Sequence, residues 1–189
     1  MSTLRFKAGY LPGLSDHEVD WHTLHFGPPQ HPLTVQVPQL KPAQMTALAQ
    51  RVRQASRTQL HHWPVSDRVA VIDRAVARLL DSRDPYRQQL DTLLPHVTGL
   101  DAEMVRIHLS AYLQTFRALQ LQRFVVEDFA NPLLLDAFQP RVGGGWSKAC
   151  GPDLMAHVWA GNVPGLPMWS WVSGLLVKAG SVGKVASAE

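Results

Sequence analysis

The spacing of apolar residues predicts two amphipathic helices in the first half of the chain. Apolar positions recur at helical intervals over 42–60, and Pro42 lies in the first turn, where proline is tolerated. A second helix is predicted over 67–81, with Ser66 as its N-cap and Arg68 on its solvent side. The apolar stripe of this second helix consists of Val69, Ile72, Ala75, Val76 and Leu79.

Two further helices are predicted before residue 130. Asp84 and Pro85 begin a short helix, which Pro95 and Gly99 end. Asp101 caps a long helix over 102–128. The predicted core face of this long helix consists of Met104, Ile107, Leu109, Ala111, Leu113, Phe116, Leu119 and Phe124.

Strand patterns occur towards both ends of the chain. Residues 33–37 alternate between apolar and polar, which predicts one half-buried strand. Residues 138–142 and the segment that starts at Trp146 are predicted to form a hairpin around the three glycines 143–145.

The last 36 residues predict a βαβ unit. The pattern indicates a strand over 154–160, a helix over 167–178 with Gly180 as its C-cap, and a second strand over 182–186. Since a helical crossover joins parallel strands, the two strands are expected to be parallel neighbours.

These elements together predict an α/β protein with a mainly helical region over 1–130, a β-hairpin over 131–150 and an α/β segment over 151–189. A single βαβ unit leaves its parallel strands without the rest of a sheet. We therefore expect the 189 residues to be the N-terminal part of a longer protein and an incomplete domain.

The amino-acid composition excludes several classes of protein. The chain is 46% hydrophobic and 17% charged, which is typical of a globular protein, and its single cysteine, Cys150, excludes an internal disulfide framework. The net charge is only +3 and acidic residues are interspersed among the arginines, so no nucleic-acid partner is predicted.

Membrane and metal signals are both weak. Residues 154–177 contain no Asp, Glu, Lys or Arg, but Pro164 and Pro167 interrupt them, and lipid supplies no partner for the broken backbone hydrogen bonds. No membrane span is therefore predicted. The histidine pairs at 22 and 25 and at 61 and 62 lack a third ligand at a recognisable spacing, so no metal site is predicted either.

The residues with the clearest chemistry are Asn162 and Lys184. Ligands of open α/β sheets bind beyond the carboxyl ends of the strands, and these residues lie at two such ends. An amide there can donate to a developing oxyanion, and a lysine can bind ribose hydroxyls or a phosphate. The residues alone leave open the alternative of a turn asparagine and a solvated strand end.

Here the sequence resembles a known family. The stretch 152–189, with Ala-Gly-Asn-Val-Pro around Asn162 and Lys-Val-Ala-Ser-Ala-Glu from Lys184, resembles the LuxC-type acyl-CoA reductases, the fatty acid reductase branch of the aldehyde dehydrogenase superfamily. The 22-residue separation of the two residues is similar to that between the superfamily's oxyanion asparagine and its ribose-binding lysine.

The resemblance implies a fold and a set of roles. Residues 151–189 would begin an aldehyde dehydrogenase-like, Rossmann-type dinucleotide-binding domain, and the hairpin 131–150 would be an oligomerisation arm. Asn162 would be a donor of the oxyanion hole, and Lys184 would reach the adenosine ribose. The implied lining of the nicotinamide side is the backbone of Val158, Trp159 and Ala160.

The implied reaction is reduction of a long-chain fatty acyl thioester to an aldehyde with NADPH, through a cysteine acyl-enzyme. Ser187 stands where many NAD-preferring relatives carry a glutamate that would repel a 2′-phosphate, which favours NADP; a small strand-end residue is the alternative. Cys150 does not match the family's nucleophile, so we expect that nucleophile beyond residue 189 and no catalysis by these residues alone.

The implied substrate is a fatty acyl-CoA or acyl-carrier thioester, with a second copy of the chain or an acyl-transfer protein as partner, in the cytoplasm. The rival interpretation is a truncated, non-catalytic helical interaction module. Trp169, Trp171 and Leu175 either belong to the core or line an acyl tunnel, and the sequence does not decide between these alternatives.

Overall fold

The computed structural model describes residues 4–28, 30, 32–160 and 165–185. Over these residues the chain is a mixed α/β protein with seven β-strands and six α-helices, and the strands form three small sheets. The fold class predicted from the sequence is confirmed.

The first sheet is N-terminal and has the strand order β1-β3-β2. Its strands are β1 (Leu4–Lys7), β2 (Asp20–Phe26) and β3 (Leu33–Gln39), and β3 pairs parallel with β1 and antiparallel with β2. The predicted strand at 33–37 is confirmed, because it lies within β3 and buries Leu33 and Val35. The sequence does not predict β2, since its apolar residues do not alternate regularly.

Five helices follow the first sheet, and the helices predicted over 42–60 and 67–81 and from Pro85 to before Gly99 are present. The helices are α1 (Pro42–Thr58), α2 (Val65–Leu80), α3 (Pro85–Thr98), α4 (Ala102–Gln114) and α5 (Ala118–Phe129). Asp84 caps α3 by accepting from the backbone N–H of Tyr86, and Gly99 ends that helix in the left-handed conformation. Pro95 lies inside α3 rather than at its end.

The prediction of Ser66 as an N-cap is wrong. Helix α2 begins two residues earlier than predicted, at Val65, and its N-cap is Pro64. The backbone N–H of Val65 donates to the carboxylate of Asp136, at 3.2 Å from Oδ1. A side chain 71 residues away therefore accepts the hydrogen bond from the first N–H of α2, so the local sequence does not reveal this cap.

The prediction of one long helix over 102–128 is also wrong, because the helix is interrupted between α4 and α5. Asp73 of α2 accepts hydrogen bonds from the side chain of Arg117 at 2.5 Å and from the backbone N–H of Ala118 at 2.8 Å. This carboxylate therefore gives a hydrogen-bond acceptor to a backbone N–H in the first turn of α5, where no intrahelical acceptor exists. The predicted core face is also partly wrong, because Met104, Ile107 and Leu119 are exposed, and α4 buries Val105 and Leu113 instead of Met104 and Ile107.

The main hydrophobic core lies between α2, α4, α5 and the last helix. Its buried members are Val65, Val69, Ile72, Val76, Leu113, Phe116, Leu121, Val125, Leu135, Val172 and Leu176. Arg68, predicted to lie on the solvent side of α2, is instead only 2% exposed. Its guanidinium donates to the carbonyl of Leu175 at 2.7 Å, which satisfies part of this buried cation.

The hairpin is shorter than predicted. Strands β4 (Gln139–Pro140) and β5 (Trp146–Ser147) pair antiparallel over two residues each, with the three glycines between them. Phe138, Val142 and Trp146 are exposed along it.

The predicted βαβ unit is confirmed. It consists of β6 (Leu154–Val158), α6 (Leu166–Leu176) and β7 (Gly180–Lys184), and the two strands pair parallel. Gly180 is the first residue of β7 rather than a C-cap, and the left-handed residue after α6 is Lys178. Within the described residues, no helix is long and apolar enough to cross a membrane.

Several polar contacts attach this unit to the preceding part of the chain. The hydroxyl of Ser56, on α1, donates to the carbonyl of Lys178 and accepts from the N–H of Gly180. The Lys178 ammonium lies 2.7 Å from Asp136, and Asp153, at the start of β6, pairs with Arg57. These contacts fix the amino ends of β6 and β7, so their carboxyl ends point away from α1.

Candidate functional site

The carboxyl ends of β6 and β7 lie side by side. Val158 is the register partner of Lys184, and the N–H of Trp159 continues the ladder by donating to the carbonyl of Lys184 at 3.1 Å. Val158 and Lys184 are both exposed, as is Ala160. The structure therefore brings together four of the five residues predicted to bind the cofactor. The fifth, Ser187, and the predicted oxyanion donor, Asn162, lie outside the described residues.

The side chain of Trp159 covers the end of β7. Its indole lies so close to Gly183 that a Cβ there would stand 1.9 Å from Trp159 Cη2. The indole also stacks on the imidazole of His157, with ring centroids 5.4 Å apart and an angle of 16° between the planes. Trp159 thus packs against both Gly183 and a buried ring.

His157 links all three elements of the βαβ unit. It is 7% exposed, and its Nδ1 lies 2.6 Å from the hydroxyl of Ser170 on α6. Its Nε2 lies 3.1 Å from the hydroxyl of Ser181 on β7. Because both ring nitrogens have partners, the imidazole is fixed in orientation. Sequence reasoning missed this role, although a single histidine within a long uncharged run was the available signal.

Gly174 on α6 leaves room for the hydrogen bond between His157 and Ser181. A Cβ at this position of α6 would stand 3.0 Å from the Ser181 hydroxyl and 3.8 Å from His157 Nε2. Helix α6 therefore approaches the sheet closely at Gly174.

The start of α6 is positioned by Tyr112. Gly165 is the N-cap of α6 and has a φ of 85°, a conformation that favours glycine. The Tyr112 hydroxyl donates to the Gly165 carbonyl, and burial raises the pKa of Tyr112. Of the residues considered for an acyl tunnel, Trp169 and Leu175 pack against the core, whereas Trp171 is 47% exposed.

The groups at the strand ends are of the kind that a dinucleotide needs. Lys184 is a cation with no ion pair among the described residues. The Nε1–H of Trp159 is shielded from solvent and has no hydrogen-bond partner in the same part of the chain. A cation and an unpartnered N–H both suit the phosphate and ribose oxygens of a nicotinamide dinucleotide, so the residues present fit such a cofactor.

Cys150 lies at the opposite end of β6. It is an exposed free thiol four residues before the strand, whereas Lys184 lies beside the strand's other end. A strand of five residues spans about 16 Å, so Cys150 is remote from the candidate site. The described residues contain no group of three or more His, Cys, Asp or Glu that could hold a metal ion.

The fold and the strand ends define a class of protein: an α/β protein whose parallel βαβ unit presents a lysine at its carboxyl edge. A family model described as acyl-CoA reductase (LuxC) matches residues 60–189, from just before α2 through the βαβ unit to the last residue. The chain therefore belongs to the LuxC acyl-CoA reductase family. No curated protein and no solved structure matches it significantly.

Proposed function

We propose that this chain serves the reduction of long-chain fatty acyl thioesters to aldehydes by NADPH. The observation that carries the proposal is the family match, together with the position of Lys184 beside Val158 at the carboxyl edge of β6 and β7. In α/β proteins this edge is where nucleotide ligands bind. The rival proposal, a non-catalytic interaction module, gives no reason for a lysine and an unpartnered indole N–H at this edge.

Each strand-end residue has a proposed role. The Lys184 ammonium binds ribose or phosphate oxygens of the cofactor, and the exposed backbone from Val158 to Ala160 lines the nicotinamide side. Asn162, two residues after Ala160, donates to the oxygen of the acyl group as negative charge develops there. The cofactor, when bound, supplies the hydride.

The proposal also includes a cysteine acyl-enzyme. Cys150 does not suit the role of nucleophile, because it lies at the amino end of β6. We therefore place the nucleophile outside these 189 residues, and we propose a second copy of the chain or an acyl-transfer protein as partner, in the cytoplasm.

Preference for NADPH is attributed to Ser187. A serine hydroxyl can donate to a 2′-phosphate, and the Lys184 ammonium can pair with it. Ser187→Glu would place a carboxylate there instead and is expected to reverse the preference in favour of NADH.

Calorimetric titration of NADPH and of NADH tests the proposal. The protein is used as the 189-residue chain and with any in-frame continuation of its gene, and each is compared with Lys184→Ala. Lys148→Ala is the matched control, because Lys148 is an exposed lysine near the hairpin. NADPH binding that is lost in Lys184→Ala and retained in Lys148→Ala would support the proposal. Absence of nucleotide binding by both folded forms would contradict it.

A further inference from the structure

We propose that Trp159 is a cofactor-contacting residue whose indole N–H donates a hydrogen bond to the bound dinucleotide, and that His157 is the positioning residue for that indole. This inference rests on the proposed function, since it names a further contact of the same cofactor. It concerns the Trp159 side chain, whereas the family resemblance implies a role only for the backbone here.

The first argument is the unpartnered donor. A buried N–H without a partner forfeits about 1–3 kcal/mol, so a native structure rarely keeps one without a reason. Among the described residues three buried side-chain atoms lack a hydrogen-bond partner: His61 Nε2, Arg68 Nη2 and Trp159 Nε1. The first two each have a carboxylate oxygen within 4 Å, that of Asp153 at 3.7 Å and that of Asp136 at 3.9 Å. Trp159 Nε1 has no acceptor among the described residues, which makes a ligand oxygen a suitable partner.

The second argument is location. Trp159 is the first residue after β6, and its own N–H donates to the carbonyl of Lys184. The indole and the Lys184 ammonium therefore start from neighbouring backbone positions at the same edge of the sheet. One supplies a neutral donor and the other a cation; the indole lies on the face of His157 and Gly183, and because side chains alternate along a strand, Lys184 projects from the other face of the same edge.

The third argument is rigidity. The indole stacks on His157, and that ring is tied at Nδ1 to Ser170 and at Nε2 to Ser181. The edge of the indole also packs onto Gly183, where only a hydrogen atom leaves room. A donor held in this way loses little conformational entropy when it binds a ligand, so its hydrogen bond contributes to affinity at little cost.

Trp159→Phe tests the contact, because it retains an aromatic ring and removes the N–H. Binding of NADPH by the protein that shows Lys184-dependent binding is measured by calorimetry, and energy transfer from tryptophan to the reduced nicotinamide gives a second readout. We expect about tenfold weaker binding, since one hydrogen bond is lost. Trp171→Phe is the control, because Trp171 is exposed on α6.

His157→Phe tests the positioning role, since it retains a stacking ring and removes both serine contacts. If His157 acts through Trp159, the double variant should bind NADPH no more weakly than Trp159→Phe alone. A merely structural role would add a further loss in the double variant. Thermal unfolding of each variant establishes that it is folded at the temperature of the titration.

The outcomes separate this inference from the proposed function. Unchanged NADPH affinity and energy transfer in a folded Trp159→Phe variant, with binding still lost in Lys184→Ala, would overturn the inference and leave the proposed function standing. Failure of the unaltered protein to bind NADPH would overturn both. Equal losses in Trp159→Phe and Trp171→Phe would also contradict the specific role of Trp159.

Discussion

Trp159, which directly follows β6, and Gly183 on β7 are complementary in size: the large indole packs where glycine has no side chain. A Cβ at Gly183 would stand 1.9 Å from Cη2 of the indole, far inside any van der Waals contact. Glycine usually weakens the interior of a strand, and its presence often marks a close approach by another group. Here that group is the indole of Trp159, and the consequence is an aromatic ring packed over the end of β7.

Gly183→Ala should displace this indole. The added methyl group and the ring cannot occupy the same space, so Trp159 is expected to leave its stack on His157 and become more exposed. We expect a red shift of the tryptophan emission and, under the proposed function, about tenfold weaker NADPH binding from loss of the indole hydrogen bond. Gly143→Ala is the control, because nothing lies within 4 Å of its added Cβ. Unchanged emission would show that the indole does not depend on Gly183.

Asp136→Asn should destabilise the fold strongly. Its carboxylate lies 2.7 Å from the ammonium of Lys178 and 3.9 Å from the guanidinium of Arg68, and both cations are buried. Among the described residues Asp136 is the one carboxylate paired with these cations, so its removal leaves both without an opposite charge, which is expected to cost about 3 kcal/mol. Urea denaturation measures this loss in the free energy of unfolding.

Arg68→Met should cost less than Asp136→Asn. Burial lowers the pKa of Arg68 to about 10, and Asp136 opposes that effect only in part. A folded-state pKa below the unfolded value means that the charged guanidinium opposes folding at neutral pH, an effect that is relieved as the pH rises above about 10. Methionine removes this cation and fills much of its volume. A larger loss in Arg68→Met than in Asp136→Asn, by the same denaturation assay, would contradict this account.

Arg87 should be important for the packing of α3. Its guanidinium, only 3% exposed, donates to the Asp91 carboxylate, the Ser110 hydroxyl and the carbonyls of Leu79 and Arg106. Arg87→Met leaves these acceptors without their donor, and we expect a loss of about 3 kcal/mol in chemical denaturation. Arg83→Met, at an exposed arginine, should have little effect.

Asp73 should make the break between α4 and α5 sensitive to acid. Hydrogen bonds from Arg117, and secondly from the backbone of Ala118, lower the pKa of its carboxyl below the ordinary 3.8. The stabilisation is therefore complete above pH 3.8 and is lost as the pH falls through the lower, folded-state value. Asp73→Asn should reduce the dependence of stability on pH in this acidic range.

The control for Asp73→Asn is Asp128→Asn, because Asp128 makes no hydrogen bond or ion pair among the described residues. Helix content followed by circular dichroism, as a function of urea at several acidic pH values, gives the comparison. The same pH dependence in Asp73→Asn and the unaltered protein would contradict the assigned role.

Local patterns predicted much of the secondary structure. Apolar periodicity located α1, α2 and α3, and the change of pattern after residue 150 located the βαβ unit. Motif spacing also indicated the family that the match over 60–189 shows. Such features can be predicted from the sequence because they depend on residues close together in the chain, whose spacing is fixed by the geometry of a helix or a strand.

Distant contacts account for the errors. Asp136 satisfies the first turn of α2 in place of Ser66, and Asp73 begins α5 in the middle of a continuous apolar pattern. Arg68 is charged, yet it is buried because a carbonyl and a carboxylate from remote segments face it. In each case a hydrogen-bond or ion-pair partner many residues away stabilises a structure that the local sequence does not favour.

The sequence by itself determined the helical and βαβ segments, the family and the position of Lys184 at a strand end, since these follow from local periodicity and short motifs. Only the tertiary structure decided which helix faces are buried, how two buried cations share Asp136, and that His157 holds the Trp159 indole over Gly183. The physical reason is that burial and hydrogen bonding between distant segments depend on packing in three dimensions, which a one-dimensional pattern does not contain.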